Sequence, residues 1–149
     1  MSEIVYESDK PLPYQDYLGF LQSAQLGRMY PKRDFEERIT RVLANAGVTV
    51  VAREDGEIVG CCMGLTDFGY FLFLTDLSVA PSHEGRGVGK ELVRLAIEAA
   101  GGADDITVIT WAMPQTLPFY AELGIVPQEG LIARDAPIDA WFDPAKPSS

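Results

Sequence analysis

Histidine and cysteine are nearly absent from this 149-residue chain, which holds one histidine, His83, and two cysteines, Cys61 and Cys62. No metal-ligand spacing can be built from so few donors, and no metal is expected. Neighbouring strand residues point to opposite faces, so the adjacent thiols are poorly placed to bridge each other. Both read as core residues rather than nucleophiles. Basic residues are scarce too, 12 against 22 acidic ones, for a net charge of -10. A chain short of Lys and Arg cannot neutralise phosphate, which argues against nonspecific nucleic-acid or anionic-membrane binding. No apolar run approaches a membrane span, and Met1-Ser2-Glu3-Ile4 lacks a basic region followed by a long apolar run, so no signal peptide is expected. A cytoplasmic location is expected.

Apolar residues make up 47% and charged residues 23%, the balance of an ordinary globular domain. The length suits one domain over residues 1–143, with a polar, Pro-rich tail over 144–149 that is expected to fray. Ile4 to Glu7 reads as a strand. Asp16 to Leu26 has helical spacing, and Pro31 is expected to open a second helix that Gly47 stops. Val48 to Arg53, the turn Asp55-Gly56 and Glu57 to Leu65 form a hairpin, and Tyr70 to Val79 continues the meander. Gly87 to Ala100 is the clearest amphipathic helix. Ile106 to Trp111 reads as a strand, Pro114 to Leu123 as a short helix, and weaker strands are expected around Ile125–Gln128 and Ile132–Phe142.

The informative stretch is Leu74 to Val93, where a strand enters a glycine-rich loop and then a long helix. Gly85, Gly87 and Gly89 let backbone approach a ligand closely. The first N–H groups of the helix lack partners within it and favour an anion, and Arg86 and Lys90 add positive charge. A P-loop would need a longer glycine spacing and Ser or Thr after the lysine, whereas Glu91 follows Lys90. The dinucleotide fingerprint lacks its third glycine and its acidic residue.

Glu84-Gly-Arg-Gly-Val-Gly89 resembles the acetyl-CoA signature of the GNAT N-acetyltransferase superfamily, Gln/Arg-x-x-Gly-x-Gly/Ala. Asp76-Leu-Ser-Val-Ala-Pro81 is similar to that family's fourth strand, and Pro118-Phe-Tyr-Ala-Glu-Leu-Gly-Ile125 to its Phe-Tyr-x-x-Leu-Gly-Phe segment. The resemblance covers nearly the whole chain. It implies an α+β fold with a mixed, mostly antiparallel central sheet of six to seven strands flanked by about four helices. It implies acetyl-CoA as acyl donor, with the pyrophosphate held at Glu84, Gly85, Arg86, Gly87, Val88, Gly89 and Lys90, and the pantetheine arm along Leu77, Ser78 and Val79. The Val79 N–H would polarise the thioester carbonyl, and Tyr120 would protonate the departing thiolate. Asp76 is the best-placed acid to receive the amine's proton, but its direction depends on strand register, and a purely structural carboxylate is an equal reading. His83 is expected to be solvent-exposed near the phosphates.

The sequence departs from the family pattern in three places. Glu84 brings negative charge to an anion site, the Asn that often follows the fifth strand is missing from Trp111-Ala-Met-Pro114, and Ile125 replaces the terminal Phe. Tyr14, Tyr17, Met29, Tyr30, Phe68, Trp111 and Trp141 are candidate walls for an acceptor pocket, with Glu7, Asp9 and Asp67 as ammonium partners. Direct acetyl transfer to a small-molecule amine is the leading function. A catalytically silent acetyl-CoA sensor and a protein acetyltransferase are the alternatives, and a homodimer is a plausible assembly.

Overall fold

The β-branched run Val48–Glu54 and the small-residue run Glu57–Thr66 form strands β3 and β4, closed at Asp55 and Gly56 with φ of 53° and 82°. Two positive φ values are what a tight primed hairpin turn requires, which explains the Asp-Gly pair. The computed structural model, which describes residues 2–8, 11–102 and 104–146, places this hairpin inside a five-stranded sheet of order β1-β3-β4-β5-β6. The other members are β1 (Ile4–Ser8) and β6 (Thr107–Thr110) at the edges and β5 (Phe71–Val79) between β4 and β6. Only β5 and β6 run parallel. The helices are α1 (Tyr14–Ala24), α2 (Phe35–Asn45), α3 (Val88–Ala99) and α4 (Leu117–Glu122), and β2 (Tyr30–Pro31) pairs with β7 (Trp141–Phe142) in a separate ribbon.

Each face of the main sheet carries its own core. Val48, Val50, Cys62, Leu72, Leu74, Val88, Leu92, Val93 and Ala96 pack under α3. Tyr17, Phe20, Leu21, Ile39, Leu43, Val51, Cys61 and Met63 pack under α1 and α2. The adjacent cysteines thus lie in different cores, and both thiols are free and buried.

Several elements differ from the sequence reading. The main sheet has five strands, and seven are reached only by counting the β2–β7 ribbon. Residues 125–140 contain no strand. Pro127, Gly130 and Pro137 interrupt this stretch, and Ile132 is 91% exposed, so pairing there would bury no apolar face. Pro31 lies in β2 instead of opening a helix, and α2 begins at Phe35 after Asp34 turns with φ 52°. The tail is anchored at its start: Pro144 is buried and its carbonyl lies 3.4 Å from the Gln22 side-chain amide. Positions 147–149 fall outside the described residues. Among the described residues, no helix is long and apolar enough to cross a membrane, and no cluster of three metal-ligating side chains occurs.

Candidate active site

An irregularity in β5 organises the site. Leu74 pairs with Gly64 and Asp76 with Met63, so Thr75 is an extra residue and the ladder bulges. Leu72 and Leu74 face the α3 core, as do Leu77 and Val79, while Asp76 and Ser78 face the α1/α2 side. Strict alternation from Leu74 would have put Asp76 under α3. The bulge instead delivers it to Tyr17 and Arg28.

Asp76 is 6% exposed and heavily partnered. Its Oδ2 accepts the Tyr17 hydroxyl at 2.5 Å, and its Oδ1 accepts Ser78 Oγ at 2.9 Å. Arg28 donates to both Asp76 and Ser78. Tyr30 and Tyr17 hydroxyls lie 2.6 Å apart; since Tyr17 donates to Asp76, Tyr30 donates to Tyr17. Burial, then the Asp76 charge, holds Tyr17 well above the usual phenol range. The same causes push Tyr30 up to about 12. Burial opposes the Arg28 charge, but Asp76 and the tyrosines outweigh it and raise the guanidinium further. The guanidinium also sits 5.7 Å from the Tyr30 ring centroid. The Cys62 thiol is pushed up to about 12, mainly by burial, which makes it inert.

β6 pairs with β5 only from Phe71 to Leu74. Beyond that the strands part, opening a cleft of about 490 Å³ lined by Leu74–Val79, Thr110–Met113, Glu84 and Tyr120. The Ala80 N–H bonds the Val59 carbonyl on β4. Backbone groups alternate along an antiparallel pair, so the N–H and C=O of Leu77 and Val79 point away from β4 toward the cleft. Tyr120 rises into it from α4 and is 8% exposed. Burial raises its hydroxyl above the usual phenol value, against the opposing hydrogen bond of Thr110.

The glycine loop enters α3 through Gly85 and Gly87, with φ of 74° and 79°. A Cβ at either would meet nothing within 4 Å, so the space above the loop is open, whereas at Gly89 it would press on the Phe119 ring at 3.3 Å. Gly89 therefore serves packing of α3 against α4, and the first two glycines serve the turn. No side chain caps α3, and its first backbone bond is from Glu91 N–H to Gly87. The N–H groups of Val88, Gly89 and Lys90 thus remain for a ligand. An open loop, uncapped amides and a strand end with unpaired backbone fit a phosphate-bearing, extended thioester such as acetyl-CoA.

Glu54, which the sequence reading did not single out, ties this loop to β3. It lies 3.3 Å from Arg86 and 3.3 Å from His83 Nε2, the latter without hydrogen-bond alignment. His83 is only 12% exposed and its Nδ1 lies 2.7 Å from Ser82 Oγ, so it braces the loop instead of standing in solvent. Glu84 is exposed at the cleft.

The proposed acceptor walls are only partly brought together. Tyr17 and Tyr30 line a second, mostly apolar cavity of about 260 Å³ with Phe35, Ile39, Val42 and Met63, and Trp111 lines the cleft. Phe68 and Asp67 lie in the turn before β5, at the strand end opposite Val79. Asp67 Oδ1 accepts the N–H groups of Gly69, Tyr70 and Phe71, which hold its carboxyl below the usual value. Glu7 pairs with Arg53 at 2.6 Å between β1 and β3, and Asp9 lies outside the described residues. Neither Glu7 nor Asp67 is placed to meet an ammonium at the cleft. Arg28, which sequence reasoning missed, is the charged side chain that both cavities share with Asp76.

The model of the acetyltransferase (GNAT) family matches residues 13–125. A mycothiol acetyltransferase from Tsukamurella paurometabola is 40% identical over 70 residues, 45% of this chain and 22% of that protein. The chain spans less than half the length of the curated relatives it matches. Among solved structures, a GNAT-family acetyltransferase from Streptococcus pneumoniae superposes with a TM-score of 0.68 at 20% identity, covering 89% of this chain and 98% of that one. An aminoglycoside N-acetyltransferase in complex with CoA gives 0.69 at 18% identity, covering 92% and 97%. The likeness to both structures is one of fold. The family match, spanning most of the chain and all three of the sequence segments that resemble the family, places this protein in the acetyltransferase (GNAT) family.

Proposed function

We propose that the protein is an N-acetyltransferase that moves the acetyl group of acetyl-CoA directly to a primary amine of a small molecule. The observation that carries this reading is a cleft lined by the buried Tyr120, the unpaired end of β5 and Glu84, the residue that opens the glycine loop into the uncapped start of α3. The neutral amine attacks the thioester carbonyl while the Val79 N–H stabilises the developing oxyanion. The C–S bond breaks, and Tyr120 gives its proton to the leaving sulfur. The product nitrogen releases a proton to water, and Tyr120 is reprotonated from solvent. Its raised pKa keeps the phenol protonated throughout the neutral range. Asp76, occupied by Tyr17, Ser78 and Arg28, acts as a positioning residue in this scheme and not as the base.

Tyr120→Phe tests the proposal. General acid catalysis contributes about 10²–10⁴-fold, so kcat should fall by roughly that factor while calorimetric acetyl-CoA affinity changes less than about threefold. Undiminished turnover would remove Tyr120 from the mechanism. A parent that binds acetyl-CoA but acetylates no amine would leave the silent-sensor reading.

A further inference from the structure

The smaller cavity has a charge pattern that the proposed reaction does not explain. It is lined by apolar side chains and by two arginines, Arg28 and Arg38, against a single carboxylate, Asp76. Asp76 is already committed to Arg28. Arg38, half-buried on α2, makes no side-chain hydrogen bond or ion pair among the described residues. An unpartnered arginine lining a mostly apolar cavity is unusual in a chain of net charge -10. Arg28 uses Nη1 for Asp76 and Ser78, which leaves the rest of its fork, and its side chain is 33% exposed.

The cavity lies next to the cleft, with Arg28, Thr75 and Asp76 common to both linings. A ligand seated here is separated from the cleft only by side chains that line both. Guanidinium forks match planar carboxylates in bidentate fashion, and Phe35, Ile39, Val42 and Met63 offer an apolar bed. The volume of about 260 Å³ suits a small molecule and not a peptide segment.

We infer that the acceptor is a small amino carboxylate: its carboxylate is held by Arg38 with Arg28, its apolar body lies against α2, and its amine points into the cleft. This deepens the N-acetyltransferase reading and rests on it for the chemistry, but the pocket itself is tested without any acetyl donor. A polycationic amine is the opposite case, because it would meet two guanidinium groups on entry.

The experiment titrates the protein with phenylalanine, methionine and leucine and with their carboxamides, which keep the amine and lose the anion. At least one carboxylate should bind ten or more times tighter than its amide. In Arg38→Gln, with circular dichroism confirming the fold, that preference should shrink to about threefold or less. Amides binding as well as the acids, no member of the panel binding, or a preference unchanged in the variant would overturn the inference. A parallel acetyl-CoA titration separates the two claims: carboxylate binding without acetyl-CoA binding sinks the enzyme reading and keeps the pocket, and the reverse sinks only the pocket.

Discussion

Asp76 is the residue on which the polar centre turns, because Arg28, Ser78 and Tyr17 all donate to it. Replacing it by Asn keeps the shape and leaves the Arg28 charge without its counter-ion. Breaking a fully buried pair costs about 3–5 kcal/mol. With Arg28 a third exposed, the expected loss is nearer 2–3 kcal/mol. Thermal melting should register a drop of roughly 4–12 °C; an unchanged Tm would mean the network carries little stability. Glu84 makes the opposite kind of case, an exposed carboxylate beside an anion cradle. Glu84→Gln should tighten acetyl-CoA by about two- to fivefold, with the gain shrinking at high salt; no gain would place its carboxylate out of reach of the phosphates. The sequence named Asp76 as the acid of interest and left its direction open. Its partner could not be read there, since Arg28 lies 48 residues upstream in an irregular segment.

Among the elements, the β4–β5 pair shows where pattern reading stops. The Asp55-Gly56 turn announces β4 after β3, and the apolar run that opens β5 announces that strand, so their existence was legible. The one-residue bulge at Thr75 leaves no compositional trace, yet it alone sets which face Asp76 meets. Gly64, opposite Leu74 at that bulge, is its nearest sequence clue. A Cβ there would sit 2.7 Å from a Leu72 methyl and 2.9 Å from the Phe73 carbonyl oxygen. Since backbone must shift, Gly64→Ala is expected to destabilise by about 1–3 kcal/mol in denaturant unfolding; a neutral result would show that the bulge relaxes freely. The segment 125–140 misleads in the other direction, because Ile125, Val126 and Ile132 have strand-forming character that no sheet face accepts.

For the molecule as a whole, the cleft depends on what the sheet does not do. β6 stops following β5 after Leu74, and that divergence exposes the Leu77 and Val79 backbone beside Tyr120. The glycine motif and the Phe119-Tyr120 segment were readable as chemistry because each is local in sequence. The smaller cavity was not, because α1, β2, α2, β4 and β5 each contribute only one or a few of its side chains. Tyr120, buried and raised, also predicts that kcat holds level on the alkaline side to about pH 10, since a general acid works only while protonated. A pH–rate profile falling near pH 8 would assign the acid to another group.

On this reading the loop before α3 and the open end of β5 together form an acetyl-CoA site. Calorimetric titration of acetyl-CoA into the parent and into Gly87→Glu tests it most directly, because a side chain at Gly87 enters open space above the cradle. Micromolar binding in the parent, weakened at least tenfold in a variant that still melts cooperatively, is the predicted result. No binding in the parent, or equal binding in both proteins, would contradict it.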